Sequence, residues 1–195
     1  MGMYPRPTLT DVREFGEYAT TFRWILWMPS PPAITELQQN LGAFNVLCES
    51  SDLPSKTVDK ILLGLRGHKH YQPGIVAPTG TITLNFVENV TNDVHRIFWY
   101  WQEAIWGHNT GIGIPYNSLV ADVAITRLDN ADNDICTYYL RYCFLESYTL
   151  PRMDGATSGP LMTSITLSYD DFFIQGLNLT PPESINDRLN PRASG

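Results

Sequence analysis

The chain of 195 residues is short of charge: Lys, Arg, Asp and Glu together make up 17% of it, against about 25% in ordinary soluble domains. What charge there is leans acidic, with 13 basic against 20 acidic residues and a formal net charge of −7. That balance excludes a protein that grips nucleic acid through rows of Lys and Arg. It leaves room for an acidic conduit, because a conduit should repel a polyanionic cargo and let it slide. Cysteine is scarce too. Cys48, Cys136 and Cys143 are odd in number, sit in apolar contexts and show neither CxxC nor zinc spacing, so they read as buried reduced thiols of a cytoplasmic assembly. No apolar run approaches the roughly 20 residues that cross a bilayer. The start MGMYPRPTLTD is polar and proline-bearing, so neither a signal peptide nor a membrane partner is expected. There is also no GxSxG, no phosphate-cradling glycine loop and no recognised Cys/His pairing. No nucleophile can be named, and neither an enzyme nor a cofactor is expected.

What the chain does have is apolar mass, aromatics and turns. Apolar residues reach 43%, aromatics 12%, and Pro and Gly supply 14 residues each. This is enough to build one sizeable core, and the surface left over is neutral and turn-rich, which suits a protein covered largely by copies of itself. Residues 1–20 and 177–195 are polar and proline-bearing without apolar periodicity, and are expected to be extended arms flanking a single β domain over 21–176.

Within that domain, period-2 alternation dominates. Phe22, Trp24, Leu26 and Met28 fall on one side of a first strand that stops at the proline segment beginning with Pro29. A short helical turn around Ile34 to Leu41 and a second strand over Phe44 to Cys48 are expected to follow. Lys56 to Tyr71, with Gly64 and Gly67 at bends, predicts a long twisted strand or hairpin, and a loop is expected through Pro73, Gly74, Pro78 and Gly80. In TITLNFV, Ile82, Leu84 and Phe86 take one face and Thr81, Thr83 and Asn85 the other. Leu119 to Arg127, Thr137 to Tyr148 and Met162 to Phe172 give three further strands, the last with Ile165, Leu167 and Tyr169 opposed to Ser164, Thr166 and Ser168. The one helix is expected over about 91–106, where Val94, Ile97, Phe98, Trp101 and Ile105 form a single stripe, with Thr91 as its N-cap, Asp93 in its first turn and Gly107 at its end. Strands, one helix, then strands again disfavours parallel βαβ folds and predicts an antiparallel β-sandwich or barrel.

Candidate chemistry is thin. His68 and His70 would share a strand face, but a metal needs a third ligand, and Glu88, Asp93 and His95 show no recognised spacing to them. Asp129, Asp132 and Asp134, like Asp170 and Asp171, sit beside turn residues and read as turn and strand-end groups. Trp99, Tyr100 and Trp106 point away from the helix's apolar stripe; they call for a covering partner, or for a sugar ring if they are coplanar on an open surface, the mark of a carbohydrate-binding β-sandwich module.

The ordered set FNVLCESSDLPSKTVDKI, the stretch Arg66 to Tyr71, TITLNFVEN, NDVHRIFWYWQEAIWG and MTSITLSYDDF resembles the tail tube proteins of contractile-tailed bacteriophages and their relatives in contractile injection systems. The resemblance spans Thr21 to Phe173. It implies a compact β-sandwich or barrel with a flanking helix, six copies closing into a ring, and rings stacked into a tube in the virion tail, with sheath, baseplate and tape-measure proteins as partners and DNA passing through the lumen. It further implies that Leu53 to Tyr71 reaches an adjacent ring, which makes Leu53, Pro54, Lys56, Arg66, His68, His70 and Tyr71 interface candidates. Thr81, Thr83 and Asn85, or Ser164, Thr166 and Ser168, become candidates for the lumen wall. The Pro31 to Ala43 segment and the two arms depart from the plainest tube subunits and fit a baseplate-proximal ring that initiates the tube as well as a repeated ring.

Overall fold

The computed structural model of the chain describes residues 20–29, 31, 32, 45–108, 110–150, 153, 156 and 158–176. The two arms apart from Thr20, and the helical turn expected around Ile34 to Leu41, lie outside these residues. Wholly within the described residues, nine strands and two helices follow in the order β1 (Trp24–Trp27), β2 (Cys48–Ser51), β3 (Lys56–Leu65), β4 (His68–Pro78), β5 (Thr81–Val87), α1 (Asp93–Ile105), α2 (Tyr116–Leu119), β6 (Ala121–Leu128), β7 (Asp134–Thr149), β8 (Met162–Ser168) and β9 (Asp171–Gln175). Every strand pairing is antiparallel, as the sequence pattern predicts.

The 16-residue strand β7 organises the body. Its first half pairs with β6 and β9, its second half with β8, and the ladder continues through β5 to β2 on one side and through β6 to β1 on the other. At Arg141 and Tyr142 the strand carries an extra residue, so that Ala121 faces Cys143 while Val123 faces Leu140. Tyr142 takes φ 55 there, and its amide donates to the Asp122 carboxylate at 3.0 Å. The extra residue resets the alternation. Cys136, Tyr138 and Leu140 before it and Cys143 and Leu145 after it all face the same core.

That core brings Leu26, Ile82, Leu84, Phe86, Ile125, Ile165 and Leu167 from the sheets against Val94, Ile97, Phe98 and Trp101 of α1. Each such side chain contributes roughly 1.5 to 3 kcal/mol by leaving water. The Phe86 and Phe98 rings meet at 5.5 Å, and the Trp101 indole N–H donates to the Leu119 carbonyl at 3.0 Å.

Several boundaries differ from those the sequence predicts. Thr91 is not the N-cap of α1. Asn92 holds that place in a left-handed conformation, and the orphan amides go upstream: Asp93 N–H to the Asn89 side-chain carbonyl at 2.9 Å, Val94 and His95 N–H to the Glu88 carboxylate at 3.1 and 2.9 Å. The second strand begins at Cys48 rather than near Phe44, and Asn45 and Val46 are helical. Pro73 to Pro78 belongs to β4 rather than to a loop. Finally, Met162 to Phe172 is two strands. A turn at Tyr169 and Asp170 divides them along one edge of β7, β8 pairing with its second half and β9 with its first.

Candidate assembly surfaces

The β3–β4 hairpin is set apart from the body. Among the described residues its strands pair with each other and with no other strand, and the tip is a two-residue turn in which Arg66 and Gly67 both have positive φ, 48 and 85, the handedness that a tight hairpin requires. Its root is fastened. Thr79 N–H donates to the Ser55 carbonyl at 2.9 Å, Pro54 is buried, and the Lys56 ammonium lies 3.5 Å from the Asp171 carboxylate and 5.1 Å from the centre of the Phe172 ring. Beyond the root, apolar side chains stand in solvent. Val58, Ile61, Leu62, Tyr71, Ile75 and Val76 are all about half exposed or more, Ile75 reaching 76%.

The cross-strand register sorts these residues onto two faces. Leu62 opposes Tyr71 and Lys60 opposes Pro73 on one; Ile61 opposes Gln72 and Leu63 opposes His70 on the other. Neither face is wholly polar, so neither is suited to remain in water. On β4 an extra residue at Gly74 and Ile75 shifts the ladder. A Cβ at Gly74 would come within 3.1 Å of the Asp59 carbonyl oxygen, so a larger residue there would require the facing strand to shift by a few tenths of an ångström.

A second surface is the outer face of β5, β8 and the end of β7. Thr81 opposes Ser168, Thr83 opposes Thr166 and Asn85 opposes Ser164, so the six residues singled out from alternation form two aligned columns on one face. Ser147 and Thr149 of β7 continue the rows against Thr166 and Ser164, and Asn85 donates to the Ser50 hydroxyl on β2 at 2.9 Å. Neither β5 nor β8 contains a charged residue. The middle of the face is hydroxyls and amides, with Phe144 opposing Ser168 at one end and the Val87–Met162 pair at the other.

A third surface is the outer side of α1. Trp99, Tyr100 and Trp106 are exposed, and Trp99 and Trp106, with Glu103, His108 and Glu146, line an open depression. Trp99 and Tyr100 meet edge to face at 68°, so they do not form the shared plane that a sugar platform requires.

No protein-family model matches the chain, and no curated protein matches its sequence. Solved structures do. A chain of the sheath-tube complex of an extracellular contractile injection system, PVC, in the extended state aligns with TM-score 0.60 over 88% of this chain and 100% of its own, at 17% identity. The tube terminating cap of the anti-feeding prophage aligns with TM-score 0.59 over 82% of this chain and 91% of its own, at 20% identity. A chain of the baseplate of the same particle gives 0.59 over 84% and 99%, at 14% identity. The chain has the tail-tube fold.

Within the tail-tube fold, the interface residues expected from sequence gather on the hairpin and its root: Lys56, Arg66, His68, His70 and Tyr71 on the ribbon, Leu53 exposed and Pro54 buried beneath it. Val58, Ile75 and Val76, which the sequence reading did not single out, are exposed on the same ribbon; the adjacent β-branched pair Ile75 and Val76 beyond Pro73 was the signal that could have pointed to two of them. His68 and His70 do share β4, but Glu88 and Asp93 are engaged at the start of α1, where Asp93 is bonded by Thr91, Asn89 and Arg96. Among the described residues, no group of three or more His, Cys, Asp or Glu could hold a metal ion. No described helix is long and apolar enough to cross a membrane. Asp129 accepts from the amides of Ala131 and Asn133 and from the Asn133 side chain. Those bonds, the Asn133 side chain first, hold its carboxyl below the ordinary range; it is a turn residue. Burial pushes the Cys48 and Cys143 thiols up to about 12, which marks them as protonated core groups rather than nucleophiles.

Proposed function

We propose that the chain is a non-enzymatic structural subunit of a contractile phage-type tail tube: six copies close into a ring, and rings stack around a channel through which DNA passes. The observation that carries this reading is the β3–β4 ribbon, apolar on both faces and uncovered by its own body. A two-stranded hairpin alone is marginal in water, and an exposed apolar surface of this kind marks an interaction site. A neighbouring copy is the cover that a tube supplies. The outer edges of β1, β2 and β9, which pair with no further strand among the described residues, are the edges that ring closure would join.

In this reading the hydroxyl face of β5 and β8 lines the lumen, with Thr81, Thr83, Asn85, Ser164, Thr166 and Ser168 toward the cargo. An uncharged wall offers a moving polyanion no ion pair to break. Sheath, baseplate and tape-measure proteins are the further partners, and the virion tail, assembled in the host cytoplasm, is the location. The arms over 1–20 and 177–195 would serve contacts between subunits or with those partners.

The similarity of the fold to a tube terminating cap and to a baseplate chain, as great as to a sheath-tube complex, supports a second reading, a ring that initiates or ends the tube. Negative-stain electron microscopy at rising concentration, with mass from light scattering, tests both. Stacked tubes support the repeated ring, isolated rings support the terminal one, and a strict monomer at high concentration contradicts self-assembly and sends the exposed tryptophans to a glycan-binding test.

A further inference from the structure

The hairpin and the body carry opposite charge. Between Lys56 and Pro78 stand four of the 13 basic residues, Lys56, Lys60, Arg66 and Lys69, and one of the 20 acidic ones, Asp59. The ribbon therefore carries +3, and the rest of the chain, left with 9 basic and 19 acidic residues, carries −10. Lys56, at the root, has an acidic partner on its own body, Asp171. Among the described residues, no ion pair engages Lys60, Arg66 or Lys69.

From these observations we infer that the hairpin is a cationic latch that seats on the acidic body of a second copy of this chain, its apolar faces supplying burial and its lysines and arginine supplying attraction. The inference rests on the tube reading and adds to it the force that selects the partner.

Geometry supports a partner in trans. Ten residues of β3 at about 3.3 Å each put the tip roughly 30 Å from the root, while a body of about 130 residues has a radius of gyration near 14 Å. The tip charges therefore stand about three screening lengths from the root, since that length is about 10 Å in 0.1 M salt. They have little attraction to satisfy at home. A second copy brings the same excess of carboxylates within contact, and because ribbon and body are different surfaces, the contact is head-to-tail, the kind that generates rings and filaments.

Sedimentation of the full chain tests the latch in two ways. Raising NaCl from roughly 0.05 to roughly 1 M, where screening shortens to about 3 Å, is expected to lower the association constant about tenfold or more. The triple variant Lys60→Glu, Arg66→Glu, Lys69→Glu, which turns the ribbon from +3 to −3, is expected to do the same at low salt while melting like the parent, because all three residues are exposed. A second variant, Ile61→Ser with Leu62→Ser, removes apolar contact and leaves the charge unchanged. If only this apolar variant loses association, and salt and charge reversal have no effect, the electrostatic latch is overturned while docking through the hairpin stands. If all variants assemble like the parent, the hairpin latch is overturned while self-assembly stands; if the parent stays monomeric at every salt, the latch and the tube reading fail together.

Discussion

Glu88 holds the start of α1 by an arrangement that removing one carboxylate would dismantle. Its two oxygens accept from Asn89, Val94 and His95 amides at 3.2, 3.1 and 2.9 Å, and Val94 is fully buried, so water is a poor substitute there. A hydrogen bond to a charged group is worth about 1.5 to 3 kcal/mol, and loss of a helix cap costs about 0.5 to 2. Some of the loss at half-exposed His95 is recovered by solvent, so Glu88→Ala is expected to cost about 2 to 4 kcal/mol, a large share of the roughly 5 to 15 that a domain has. Glu88→Gln keeps one acceptor oxygen and should cost about half as much. Urea unfolding followed by tryptophan fluorescence reads this directly, since Trp101 sits in the core on the same helix, and the slope should not change. If both variants stay within about 0.5 kcal/mol of the parent, the helix is held by packing alone and the capping argument is wrong.

Ile82→Lys or Leu84→Lys places a charge where the side chains are 2% and 0% exposed. An unpaired buried charge costs several kcal/mol, so no native melting transition is expected, and a soluble variant with one would refute the assigned strand face. For the thiols, the folded state keeps its protons up to about pH 12 at Cys48 and Cys143, whereas an unfolded thiol releases its proton near 8.5. The folded state then binds more protons across that interval, so stability should fall as pH rises from about 9 toward 12. Alkylation at pH 8 should be far slower than in urea, and rapid labelling of the native protein would contradict the burial. Deletion of residues 177–195 is expected to leave the melting temperature within a few degrees, because β9 completes the ladder at Gln175, while weakening assembly; loss of the fold would contradict the division into body and arm.

The sequence was most readable where one face is core and the other is not. Strands β5 and β8 alternate without interruption, and the stripe of Val94, Ile97, Phe98 and Trp101 announces the helix and its buried side. Legibility failed where tertiary context overrides a local rule. Pro73 and Pro78 argue for a loop, yet a two-stranded ribbon leaves half its amides pointing outward, where proline forfeits no ladder bond. Thr91 is a reasonable cap by type, but Glu88 reaches the amides first. The break between β8 and β9 was hinted at by phase: Ile165, Leu167 and Tyr169 step by two, and Phe172, also buried, does not. The assembly surfaces were the least legible, because an exposed valine in a strand is written the same way whether a neighbouring molecule covers it or its own body does.

The extra residue at Arg141 and Tyr142 lets a single strand serve both halves of the ladder without turning its side chains out of the core. In mechanical terms β7 is a keel. The two sheets cannot peel apart along a seam, since they share one unbroken length of backbone, and a pull along that strand loads the hydrogen bonds to β6, β8 and β9 in shear, many at once, rather than opening them one after another. A body built this way carries a load along that strand as a stiff block.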